Sequence, residues 1–156
     1  MRKVEIVPAT EEHIVSILPH VRQADRDEFM AAAGMQPAEV IVRAMKSASV
    51  SAAGLINGQV VTIFGISPAS IITGRGIPWL VSTDLMAQQP VTFLRHCRPA
   101  LRDMSQGYRF LENYVDARNL AAKSWLHWLG FHLEDPAPYG LMGLPFHRFT
   151  MENKNV

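Results

Sequence analysis

The sequence predicts an α/β sandwich in which a mixed sheet carries helices on both faces, and three observations support it. Short β-type runs alternate with stretches of helical period along the whole chain. Asn57-Gly58, set between AAGLI and QVVTIFGI, is a strong hairpin signal. Helices return the chain to neighbouring strands, a connection that favours right-handed crossovers. A chain of 156 residues, 48% hydrophobic and 19% charged, suits one domain, residues 1–156, around a well-filled core.

Taken in order, Val4 to Val7 is a short strand. Thr10 then caps a helix whose first turn holds Glu11 and Glu12, where acidic side chains meet the positive end of the helix dipole. Ile14, Ile17, Leu18 and Val21 continue the helical spacing, but Pro19 ends or kinks that helix near Leu18. A second helix spans Arg22 to Ala33 and stops at Gly34. Pro37 opens a third, with Val40, Ile41, Ala44 and Met45 on one face.

Ser49 to Ile66 forms the hairpin, and a looser link through Pro68 and Gly74-Arg75-Gly76 leads to a buried strand at Ile77 to Thr83. Pro90, at a helix N1 position, starts a helix with Leu94, Cys97, Leu101 and Met104 inward and Arg95, Arg98 and Arg102 outward. Gly107 ends it, and Pro99 should bend it. RFLENYV is a strand and NLAAKSWLHWLG a helix. FHLED and FHRFTM are two closing strands around a Pro/Gly-rich loop.

The charge balance excludes some functions. A net charge of +1 gives no footprint for multiple phosphate contacts, so nucleic acid is not an expected partner. The single Cys97 cannot form an internal disulfide, and the opening MRKVEIVPATEE lacks the apolar core of a signal peptide. A cytoplasmic location, bacterial or in an infected host cell, is expected. No apolar run reaches the roughly 20 residues of a membrane span. The six histidines show no ligand spacing, so no metal is expected.

The order of elements, with NLAAKSWLHWLGF followed by FHRFTM, resembles the acyl-CoA N-acyltransferase (GNAT) superfamily over nearly the whole chain. Its most specific part is the spacing Asn119, Ala122, Trp125, Gly130, Phe131. IPWLVSTDL, LENYVDARN and WLGF are also similar to GNAT-like proteins of short-tailed bacteriophages, among them an internal virion protein. The resemblance implies a mostly antiparallel sheet whose fourth and fifth strands, Ile77 to Thr83 and Arg109 to Val115, are parallel neighbours that splay apart.

In such a fold the pantetheine arm of acetyl-CoA or another acyl-CoA lies in the splay as a surrogate strand. It would bond to the backbone of Leu80, Val81, Ser82 and Thr83, with N–H groups near Val81 to Thr83 holding the thioester oxygen. Asn119, the N-cap of its helix, faces the same gap. The pyrophosphate belongs at the helix starting near Pro90, but the loop reads DLMAQQP. It has no glycine to admit phosphate closely, carries a repelling Asp84, and offers Gln88 and Gln89 as its polar contacts.

A second departure is Leu126, which stands where many members keep a tyrosine that protonates the leaving thiolate. Candidate catalytic groups are Glu112, on the strand bordering the cleft, His127, beside Leu126, and Tyr139 in DPAPYGLMG, which could replace the missing acid. Each also has a plainer explanation, Glu112 and His127 as solvated or paired residues and Tyr139 as cover for its loop.

Two functions from different classes are therefore carried forward. One is acyl transfer from acyl-CoA to an unidentified amine. The other is a non-catalytic phage protein, in the infected cell or within the virion alongside other virion proteins, that uses the scaffold for structure or interaction.

Overall fold

The structure is a computed structural model describing residues 3–153. Strand β1 (Val4–Pro8) leads to helix α1 (Glu11–Ile17). Thr10 caps α1 by accepting from His13 N–H, and the His13 ring accepts in return from Thr10 N–H. As Pro19 requires, α1 gives way to a single 3-10 turn, Leu18–His20. Helices α2 (Gln23–Ala33) and α3 (Pro37–Ser47) follow.

Strands β2 (Val50–Ile56) and β3 (Gln59–Ser70) meet at the expected hairpin. Asn57 and Gly58 both have positive φ, at 50° and 80°, the backbone a two-residue turn of this hand demands. Strand β4 (Arg75–Ser82) precedes a short helix α4 (Asp84–Gln88) and the long α5 (Pro90–Met104), which continues through Pro99. Then come β5 (Phe110–Asp116), α6 (Leu120–Leu129), the short β6 (His132–Leu133) and β7 (Ala137–Tyr139), and β8 (Leu144–Glu152).

Two of these elements differ from the sequence expectation. The stretch DLMAQ, expected as loop, is the helix α4 with Thr83 at its N-cap. The Pro/Gly-rich loop contains the three-residue edge strand β7, paired to β8.

Among the described residues the sheet has eight strands in the order β1-β2-β3-β4-β5-β8-β6, with β7 also on β8. All neighbours are antiparallel except β4 and β5, which are parallel. Helices α1 to α3 cover one face, where Ile14, Ile17 and Ile41 pack on Ile63 and Val81. Helices α5 and α6 cover the other, where Phe93, Leu94, Cys97 and Trp125 pack on Phe64. Phe131 and Phe149 extend that second layer beyond the parallel pair, joined by Leu111 and Val115.

The docking of α5 depends on a missing side chain. Phe93 is fully buried, and a Cβ added to Gly54 of β2 would lie 2.1 Å from its Cζ. Gly54→Ala is expected to overpack this contact and cost about 1–3 kcal/mol, read as a lower urea midpoint. A midpoint equal to wild type would show that α5 can move away from the sheet at no cost.

Candidate functional site

The parallel ladder between β4 and β5 is very short, with Arg75 opposite Phe110 and Gly76 opposite Leu111 and nothing beyond. Past that point the strands diverge, and the first rung of the gap is bridged by Asn113 Nδ2, which donates to Pro78 O at 2.8 Å. Thr83 N–H donates to Val61 O of β3. By strand alternation Val81 also bonds to β3, while Pro78, Leu80 and Ser82 direct their backbone groups into the gap.

Helix α2 closes the wide end of that gap with a polar face. Asp25 and Glu28 sit three residues apart, one turn of helix, and Arg22, the residue preceding α2, lies three residues before Asp25. Asp25 Oδ2 accepts from the Ser82 N–H (2.9 Å) and hydroxyl (3.0 Å), at the end of β4. Glu28 Oε1 accepts from the Asp116 N–H (2.8 Å), at the end of β5. The Arg22 N–H donates to Ser82 O, and its guanidinium donates to Ser82 Oγ, Asp25 Oδ1 and Asn119 Oδ1. That guanidinium passes through the gap to lie 4.7 Å over the Trp125 ring of α6. Asn119 Nδ2 completes the network by donating to Asp25 and Glu28.

Beside this network a cavity of about 250 Å³ is lined from both faces of the sheet. Leu101, Leu126 and Leu129 come from the α5–α6 side, and Glu28, Phe29 and Tyr139 from the α2 side. The Tyr114 and Tyr139 rings stack at 3.8 Å. Trp79 lines the same cavity, and its Nε1 is buried without a hydrogen-bond partner.

No protein-family profile matches the sequence, and no curated protein does. Solved structures match by shape over nearly the whole chain. The spermidine N-acetyltransferase from Vibrio cholerae, in complex with CoA and spermine, superposes with a TM-score of 0.68 at 11% identity, covering 96% of this chain and 95% of that one. A GCN5-related N-acetyltransferase from Kribbella flavida gives 0.69 at 14% identity, covering 96% and 98%. An acetyltransferase of the GNAT family from Streptococcus pneumoniae gives 0.65 at 15%, covering 96% and 99%. This chain has the GNAT fold. No helix of the described residues is long and apolar enough to cross a membrane.

Within the GNAT fold the residues singled out from the sequence fall in different places. Leu80 and Asn119 line the cavity with Tyr139 and Leu126. Ser82 faces the gap, but both its backbone groups and its hydroxyl are engaged by Arg22 and Asp25. Val81 and Thr83 turn their N–H groups to β3, which leaves Leu80 as the gap-facing rung without a ladder partner. Asn119 is 2% exposed, and its amide serves Arg22, Asp25, Glu28 and the Ala122 N–H of the cap.

Gln88 and Gln89 lie off the cavity, at the junction of α4 and α5. Glu112 is near the narrow end of the gap in ion pairs with Arg75 and Arg148, the latter shared with Glu134. His127 is exposed on α6, outside the cavity. The three polar residues at the wide end, Arg22, Asp25 and Glu28, were not among the sequence candidates.

Local environment tunes these groups. Burial, reinforced by the charge of Asp25, pushes Glu28 up to about 8 despite its bond from the Asp116 N–H. Burial alone lifts the Cys97 thiol to about 12, so it is inert. Burial also raises Tyr139, helped by Tyr114. For Glu112 burial acts upward, but the hydrogen bonds from Arg148 and Arg75 outweigh it and hold the carboxyl below its usual range. Asp116 is held low in the same way by Arg118.

Two outcomes follow from this chemistry. Asp25→Ala strands the buried Arg22 charge and the Ser82 N–H, so it should destabilise by about 3–5 kcal/mol in chemical denaturation. A loss under 1 kcal/mol would mean water replaces the carboxylate.

Glu28, which faces Asp25 and Asp116, stays protonated in the fold up to about pH 8 but ionises near 4.5 when unfolded. Between those values the folded state binds more protons, so its contribution is complete below 4.5, declines as pH rises, and levels off above 8. Glu28→Gln should therefore flatten the pH dependence of the urea midpoint across that window. A slope identical to wild type would show that Glu28 ionises normally.

Proposed function

We propose that the chain is an acyl-CoA-dependent N-acyltransferase, transferring an acyl group, acetyl in the simplest case, to a primary amine. The observation that carries the reading is the cavity lined from both faces of the sheet at the β4–β5 gap, with the Leu80 backbone turned into it. Donor and acceptor can meet there from opposite sides, as a direct transfer requires. The Vibrio cholerae enzyme of the same fold was solved with CoA and spermine, a donor product and an amine.

In this scheme the pantetheine arm enters from the α5–α6 side along β4 and bonds to the Leu80 rung, with Gln88 and Gln89 toward the phosphates. The neutral amine attacks the thioester carbonyl, the C–N bond forms and the C–S bond breaks. Tyr139 donates its phenol proton to the leaving thiolate and regains one from the acylated nitrogen, so that amide and free thiol are the products. Tyr139 takes the role that Leu126 cannot fill, and Glu112 and His127, off the cavity, take none.

A second reading has its own support. The occupied Ser82 groups, the fully engaged Asn119 and the leucine at position 126 suit a GNAT scaffold without turnover, such as the structural or interaction proteins of short-tailed phages that the sequence resembles.

Calorimetry with acetyl-CoA separates the two. Binding, with amine-dependent thiol release that falls at least tenfold in Tyr139→Phe at unchanged KM for acetyl-CoA, is the outcome expected of the enzyme. No heat at millimolar acetyl-CoA from folded protein would establish the second reading instead.

A further inference from the structure

Trp79 and Glu28 both line the cavity, and each carries a polar atom without a protein hydrogen bond. Trp79 Nε1 is the one buried side-chain nitrogen or oxygen among the described residues without a hydrogen bond. An indole N–H left so is unfavourable, and it can only donate. The second is Glu28 Oε2. Both hydrogen bonds to that carboxyl, from the Asp116 N–H and Asn119 Nδ2, end on Oε1.

Both groups belong to the same side of the sheet. Trp79 packs with Phe29 of α2 against the cluster that includes Val81, and Glu28 precedes Phe29 on α2. Arg22 is matched by Asp25, and Arg118 by Asp116, so the uncommitted carboxyl is that of Glu28. Burial favours the protonated form of that carboxyl, and a cationic donor arriving at Oε2 would favour the ionised one.

A cationic N–H donor would suit the Glu28 carboxyl, and an uncharged oxygen acceptor the Trp79 N–H. A polyamine has the first and lacks the second. We infer that the α2 side of the cavity is a subsite for the α-amino end of a peptide, with Glu28 Oε2 holding the ammonium and taking the proton it sheds before the neutral amine attacks, and the Trp79 indole N–H donating to the first carbonyl oxygen. The stacked Tyr114 and Tyr139 rings, with Val40, supply the apolar wall for the first side chain. The inference deepens the acyltransferase reading by naming the acceptor class of the same cavity.

The test uses the whole protein without an acyl donor. Calorimetry and the three indole N–H signals in ¹⁵N NMR are followed with Ala-Gly-amide, its N-acetylated form, and spermine. Ala-Gly-amide should bind and move one indole signal, the one absent from Trp79→Phe. The N-acetylated peptide and spermine should bind at least tenfold more weakly. Glu28→Gln keeps an oxygen for the Asp116 N–H, so it should fold while losing at least tenfold in affinity for Ala-Gly-amide. Trp79→Phe should lose affinity for Ala-Gly-amide and leave spermine binding unchanged.

Equal binding of the free and N-acetylated peptides, tighter binding of spermine, or wild-type affinity in Glu28→Gln would overturn the subsite. If acetyl-CoA binds and Ala-Gly-amide does not, the subsite fails and the acyltransferase reading stands. If the peptide binds and acetyl-CoA does not, the reverse holds.

Discussion

Two parallel strands that part after two residue pairs leave a row of backbone donors and acceptors facing each other across a gap, and every other feature of this site answers that problem. Each buried group left unpaired costs about 1–3 kcal/mol. The chain meets the cost with side chains in place of a strand. Asn113 bridges the narrow part, and the polar residues on and just before α2 take the wide end, with Asp25 on β4 and Glu28 on β5. Asn119 ties both carboxyls to α6, and Arg22 reaches through to Trp125. A helix on one face is thereby fastened to a helix on the other through the sheet.

The same solution sets the terms on which a ligand can enter. A surrogate strand would seek the gap-facing groups of β4, but Pro78 has no N–H and its carbonyl is held by Asn113, while Ser82 is engaged by Arg22 and Asp25. Leu80 remains. A donor held there has a single backbone rung and a largely apolar wall, so its affinity rests on packing more than on hydrogen bonds. Stability and ligand capacity compete for the same few backbone atoms, and at Ser82 this chain favours stability.

Much of the fold was legible in the sequence because local signals and tertiary need agree. Asn57-Gly58 turns where its positive φ angles require, Pro19 stops α1, and Asn119 and Gly130 bracket α6. The parallel pair and its divergence came from resemblance, since nothing local to Ile77–Thr83 marks it. Helix α4 was missed although Thr83 and Asp84 form a serviceable start, because five residues are too few to show a period. Strand β7 is an exposed three-residue edge with no alternation to detect.

The site was legible only in part. Leu80, Asn119, Leu126 and Tyr139 converge on the cavity, while Glu112 and His127 do not. Arg22, Asp25 and Glu28 gave the signal of equal spacing at three residues, but charges so spaced on a helix usually face water. Their burial is decided by strands far away in sequence, at Ser82 and Asp116.

Side chains on and just before α2 stand in for the missing ladder, and amide hydrogen exchange of the wild-type protein reads this out residue by residue. The Ser82 and Asp116 amides, bonded to Asp25 and Glu28, should be protected to the same degree as Thr83, whose N–H is bonded to β3, with Leu80 exchanging faster than all three. Exchange at Ser82 and Asp116 as fast as at Leu80 would show that the wide end of the gap is open and that α2 does not hold it.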